Sequence, residues 1–183
     1  HPRVGVDLQL LVASKEIVES VRNGALDAAI VYGDAEWDGC DWRTLRQYQP
    51  YFAVPAGHPL AGREAIAVGE LAGEDLILFS RALDPVRYDT MIASFVRAGI
   101  TPNIIHELPS EDVRLALVRA GLGVTLVSGS IFERGAPAGI IALPARDLDL
   151  DRNLNVLWRA DHQSPALLAL VSAFETAAAQ GLR

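Results

Sequence analysis

Asp75-Leu76-Ile77-Leu78-Phe79 is a short apolar run of the kind that forms a buried strand. A helix is expected next, over about Asp89–Ala98, with Met91, Ile92, Phe95 and Val96 at helical spacing and Gly99 as its stop. Pro102 leads into a second strand, Asn103-Ile104-Ile105-His106-Glu107. Ser110 then opens another helix, with Glu111 and Asp112 in its first turn and Val113, Ala116, Leu117 and Ala120 facing inward. Gly121 ends it, and Val124-Thr125-Leu126-Val127 is the next strand. Strand and helix alternate here, which is the grammar of an α/β protein.

The same grammar stands upstream. Val4, Val6, Leu8 and Leu10 alternate with Asp7 and Gln9, a period of two that predicts a strand. Ser14 is placed to cap a helix carrying Ile17, Val18 and Val21, with Gly24 at its end, and Ala28–Tyr32 reads as a second strand. Short connections favour a parallel pair with a right-handed crossover. Downstream, Ile140–Leu143 and Leu154–Trp158 read as strands, and Ser164-Pro165 starts a helix with Leu167, Leu168, Val171 and Phe174 along one stripe. The Gly-, Ala- and Pro-rich stretch His58–Gly73 separates two clusters, so two small subdomains are expected, the last strand and helix returning to the first.

Composition narrows the function. The 183 residues carry a formal charge of −7, with Lys15 the single lysine, so the field of this chain repels nucleic acid. No apolar run approaches the roughly 18 residues that span a bilayer, and residues 1–4 show no signal-peptide pattern. Cys40 has no partner for an internal disulfide, in keeping with a reducing compartment. His1, His58, His106 and His162 do not share metal-ligand spacing, so no metal is expected. There is no Gly-x-Ser-x-Gly elbow and no phosphate loop; Gly121-Leu122-Gly123 runs into a strand, not a helix, and is no dinucleotide motif. Neither catalytic machinery nor a cofactor is expected. Trp37–Trp42, acidic and aromatic, reads as a packed surface loop.

Several stretches, in order, resemble the effector-binding domain of LysR-type transcriptional regulators. They are His1–Leu8, Asn23–Ile30, the run Phe52-Ala53-Val54-Pro55-Ala56-Gly57-His58-Pro59-Leu60-Ala61, Leu117–Val124, and Trp158-Arg159 followed by Ser164-Pro165. The resemblance covers essentially the whole chain. It implies a fold like the type 2 periplasmic binding proteins: two small α/β lobes joined by two crossover strands, residues 1–55 with 144–183 and residues 56–143. It implies an effector held in a cleft between lobes, cytoplasmic location, and a homodimer or homotetramer in the full-length regulator. DNA would be met only through a winged helix-turn-helix domain absent from this chain. Family domains also open with one more strand and helix before the match to Val4, so an N-terminal truncation is expected. Where the family often has proline after the Val124–Val127 strand, this chain has Ser128-Gly129-Ser130.

The resemblance and the strand ends together nominate ligand-binding residues. Ser14 follows a strand and begins a helix, where amides and a hydroxyl can cradle an anion; capping alone also explains a serine there. Tyr32 ends a strand at the same edge, as ligand contact or as core aromatic. Phe79-Ser80-Arg81 follows the first strand of the second lobe, and Arg81 can pair two-pronged with a carboxylate or lie solvated. Ser128 is at another strand end, with Gly129 permitting close approach, or is plain turn chemistry. The expected ligand is a small organic anion, a carboxylate. The alternative is a solute-binding protein of the same fold serving transport.

Overall fold

The computed structural model describes residues 5–9, 14–33, 37–135, 137–150 and 152–180, which fall into two compact units: residues 1–47 with 152–183, and residues 48–151.

The first unit holds α1 (Ser14–Arg22), β1 (Ala28–Tyr32), β2 (Cys40–Tyr48), β8 (Arg152–Arg159) and α4 (Pro165–Gln180). Its sheet runs β1-β8-β2, so the last strand of the chain is central. Period-two alternation in β8 splits the core between two faces. Leu157 packs with Val18 and Val21 of α1 and with Val31, Trp37 and Cys40, while Val156 and Trp158 pack with Leu167 and Val171 of α4. Burial raises the Cys40 thiol above its ordinary pKa, the buried behaviour of an unreactive thiol. Ser164 caps α4 as its sequence requires, its hydroxyl accepting from the Leu167 amide at 3.2 Å.

Three upstream expectations need correction. Residues 5–9 form no strand, with Val6 55% and Leu8 85% exposed; Val4 and Leu10 lie outside the described residues. The expected parallel partner of β1 is therefore not seen among the described residues, and β1 pairs antiparallel with β8, from Ala28↔Trp158 to Tyr32↔Leu154. Alternation gives a segment the means to be a strand, but a ladder neighbour makes it one. Trp37–Trp42 is only partly a loop: Cys40, Asp41 and Trp42 open β2, and Trp37 is buried with its ring edge-on to Trp42 at 5.6 Å.

The second unit holds β3 (Pro50–Pro55), β4 (Asp75–Leu78), α2 (Pro85–Arg97), β5 (Asn103–Glu107), α3 (Glu111–Arg119), β6 (Thr125–Ser128) and β7 (Ile140–Pro144). β3 lies antiparallel between β6 and β7, and β4 pairs with β5 in parallel. A parallel bridge joins the two groups: the Ile77 amide donates to the Val124 carbonyl and the Val124 amide to the Asp75 carbonyl, each at 2.8 Å. Gly123 makes that approach feasible, since a Cβ there would stand 2.5 Å from the Asp75 carbonyl oxygen.

α2 begins at Pro85, a turn earlier than its apolar spacing suggests, because Asp84 caps it by accepting from the Arg87 amide at 3.1 Å. Met91 and Phe95 are fully buried beside Phe52, Leu76, Leu78 and Leu126, whereas Val96 is 66% exposed. The inward face of α3 is also corrected: Arg114, Leu115 and Val118 are buried, while Val113, Ala116 and Ala120 are exposed. The buried Arg114 turns the helix. Its guanidinium donates to the Leu108 carbonyl at 3.0 Å and to the Thr125 hydroxyl at 3.3 Å, so a charge that chemistry would put outside sits inside with partners.

Candidate functional site

In the second unit β4, β5 and β6 run parallel, so their carboxyl ends share one edge of the sheet, the edge at which open α/β sheets take ligands. Phe79-Ser80-Arg81 leaves that edge from β4, Glu107 ends β5 and Ser128 ends β6. The structure thus brings four of the six nominated residues to one edge.

Each is held differently. Phe79 is core: it is buried, with Tyr88 edge-on at 5.9 Å and the Arg87 guanidinium 6.0 Å from its centroid. Ser80 is half-buried at the start of a turn closed by the Leu83 amide donating to its carbonyl at 3.0 Å. Arg81 is engaged by Asp89 through two parallel bonds, Nε to Oδ1 at 2.7 Å and Nη2 to Oδ2 at 2.6 Å. That hydrogen bond lowers the Asp89 carboxyl below its ordinary pKa and raises the Arg81 guanidinium above its own. Both side chains are 56% exposed, so the pair is solvent-screened. Ser128 is buried, its hydroxyl accepting from the Ser130 amide at 3.4 Å. At Gly129 a Cβ would press on the Tyr51 ring at 3.2 Å and the Gln49 carbonyl at 3.3 Å, so glycine here lets the chain pass closely over β3.

Sequence reading missed two neighbours. The Tyr88 hydroxyl donates to the Glu107 carboxylate, tying α2 to the end of β5. Burial, with that hydrogen bond second, pushes the Tyr88 phenol up to about 12, so it is a neutral donor at ordinary pH. Asp89 was read only as an opening residue of a helix. Helical spacing from Pro85 puts Tyr88 at the end of the first turn and Asp89 at the start of the second, and the Asp84-Pro85 pair is the signal.

In the first unit, Ser14 opens α1, and its side chain lies outside what is described. Tyr32 ends β1, and the Arg152 guanidinium lies over its ring at 4.0 Å from the centroid. In the same sheet Asn155, 2% exposed, ties three segments together. Its Nδ2 donates to the Gly33 carbonyl at 2.8 Å and its Oδ1 accepts from the Thr44 hydroxyl at 2.8 Å. Arg152 and Asn155 were not nominated. Their signal was a polar start, Arg152-Asn153-Leu154-Asn155, to a strand that continues as Val156-Leu157-Trp158. Among the described residues no group of His, Cys, Asp and Glu could hold a metal ion, and no helix is long and apolar enough to cross a membrane.

Comparison with known proteins adds family evidence to this geometry. Residues 1–179 match the family model of the LysR substrate binding domain. The chain is 28% identical over 166 residues to the HTH-type transcriptional regulator AlsR of Bacillus subtilis (strain 168), covering 91% of this chain and 54% of AlsR. It is 41% identical over 85 residues to the HTH-type transcriptional regulator TtuA of Agrobacterium vitis, covering 46% of this chain and 28% of TtuA. Among solved structures, the BenM effector binding domain with its effector benzoate superposes with a TM-score of 0.76 at 22% identity, over 93% of this chain and 78% of that one. Full-length CbnR complexed with its target DNA gives 0.75 at 22% identity, over 91% of this chain and 58% of that one. The chain spans about half the length of AlsR and a smaller share of TtuA.

Proposed function

The chain belongs to the LysR substrate-binding domain family, with that family's type 2 periplasmic-binding-protein-like α/β fold, and on that premise we propose that it senses a small organic anion. The observation that carries this reading is the carboxyl edge of the second unit, where Ser80 and Arg81 leave β4 beside Ser128 at the end of β6. Ser14 and Tyr32 are the contacts proposed in the first unit, and Phe79 shapes the second as an apolar floor. The Arg81–Asp89 pair is exposed on both sides, so it costs little to let a ligand carboxylate compete for the guanidinium. BenM, similar in fold, is solved with benzoate as its effector, which supports a carboxylate here.

On this reading the chain is a cytoplasmic binding module and not an enzyme. Its output is a shift in the population of conformations when ligand binds one of them better. In the whole regulator that shift would reach DNA through a separate N-terminal domain, within a dimer or tetramer. The relatives are named as transcriptional regulators, which does not favour the transport reading.

A thermal-shift panel of carboxylates, amines and neutral sugars tests the proposal. A ligand at 100 times its Kd stabilises by about 2.7 kcal/mol, roughly 5–10 °C for a chain of this size. A response to carboxylates supports the reading, and a response confined to amines or sugars refutes it. Turnover of any responding compound would refute the non-enzymatic part.

A further inference from the structure

We propose that Arg152, held over the Tyr32 ring, is the oxyanion receptor of the first unit, taking a ligand carboxylate through the two-pronged edge of its guanidinium. This rests on the anion reading above and names a residue that reading did not use. The arginines at the edge of the second unit already serve protein groups. Arg81 faces Asp89, and Arg87 gives Nη1 to the Leu150 carbonyl at 2.9 Å. Arg152 differs. Among the described residues its guanidinium has no carboxylate or carbonyl partner, and it lies over the Tyr32 ring, 4.0 Å from the centroid.

A ring face attracts a guanidinium through its charge, so the contact localises the cation without a carboxylate or carbonyl taking its donors. Arg152 is half-buried, so its charge is less screened than that of the 56% exposed Arg81. The platform is fixed as well. Tyr32 lies directly across from Leu154 in the β1–β8 ladder, and Asn155 anchors the Gly33 carbonyl that follows it. Orientation of a planar, half-desolvated cation before ligand arrives lowers the entropy lost on binding. A carboxylate meeting it can form two parallel charge-assisted bonds. A neutral isostere of the same shape cannot.

The test uses this 183-residue chain with acetate, benzoate, succinate and inorganic phosphate as probes and benzamide as neutral control. The Arg152 Nε–H resonance is assigned by its loss in R152K. At least one oxyanion is expected to move it, and benzamide is not. R152Q and R152K should each weaken that oxyanion roughly tenfold or more, since a lost hydrogen bond to a charged group is worth that factor. Y32A, which removes the ring face beneath the guanidinium, should fall with R152Q. If an oxyanion moves the Ser80 and Arg81 signals, leaves the Arg152 resonance in place and binds R152Q as well as wild type, the Arg152 assignment fails while the anion reading stands. If no oxyanion moves any resonance, both fail.

Discussion

Replacing Gly123 by alanine should be among the most damaging one-methyl changes this chain can suffer. The new Cβ would stand 2.5 Å from the Asp75 carbonyl oxygen, 3.2 Å from its carbon and 3.3 Å from Ile77 Cγ1, at a backbone φ of 150°. The nearest atom is backbone, so no side chain can turn aside. Reaching even about 3.0 Å requires about 0.5 Å of retreat, and the bonds that would stretch are the two 2.8 Å bonds joining β4 to β6. At about 3.3 Å both lie outside the ordinary range. Their loss costs about 1 kcal/mol each, and the strained φ adds about 1–3 kcal/mol, for a total of about 3–5 kcal/mol. Gly121→Ala is the control, because its φ of 79° is unfavourable for alanine but nothing lies within 4 Å of a new Cβ. It should cost only about 1–2 kcal/mol. Urea unfolding by circular dichroism measures both, with midpoints compared at a common slope. Tryptophan emission locates the damage, since Trp37, Trp42 and Trp158 all belong to the first unit. If Gly123→Ala loses no more than Gly121→Ala, the close-approach argument is wrong.

Phe95→Ala should destabilise by about 3–5 kcal/mol in the same urea assay, since the ring is fully buried among Met91, Leu76 and Leu78 and leaves a cavity. A loss under about 1 kcal/mol would mean that this core collapses freely. Tyr88 makes alkaline stability a second test: its phenol is raised to about 12 from an ordinary 10, so the folded chain keeps a proton the unfolded one has lost. The stabilisation is full below pH 10 and disappears as pH rises to about 12, so wild type should lose urea resistance across that window more steeply than Tyr88→Phe; equal slopes would show that the raised phenol is not linked to folding.

Much of the element order was legible because it rests on short-range signals. Ser110 caps α3 by accepting from Val113, and Ser164-Pro165 opens α4, both as their residue types require. β4 and β5 pair in parallel around an intervening helix, as the alternation of elements implies. What failed rests on long-range partners. Nothing local in Val4–Leu10 says whether a ladder neighbour exists, and nothing in Val113-Arg114-Leu115 says that carbonyls from Leu108 and Pro109 draw the arginine inward. The site shows the same division. Ser80, Arg81 and Ser128 could be found because strand ends are readable, whereas the attachment of Arg81 to Asp89 could not, because it depends on where α2 starts. Arg152 was invisible for a further reason: its neighbour Tyr32 is 120 positions away in sequence, and only the antiparallel ladder of β8 on β1 brings them together.

The charge balance then separates what the two units can contribute. A chain with formal charge −7 repels an approaching anion, but that repulsion is screened beyond about 8 Å at physiological salt. Local cations therefore decide the outcome. In the second unit Arg114 is buried against carbonyls, Arg87 bonds the Leu150 carbonyl, and Arg81 is already matched by Asp89. Glu107 adds a carboxylate at the same edge, held by a phenol that brings no charge. What that edge presents is the half-buried Ser80 and a guanidinium that must first loosen its own carboxylate, with Ser128 buried behind them. The first unit presents the reverse: a guanidinium over a ring, with no carboxylate or carbonyl partner among the described residues. The two proposed anion contacts therefore differ in what they require: Arg152 would meet a carboxylate from its place over the Tyr32 ring, whereas Arg81 must first release Asp89.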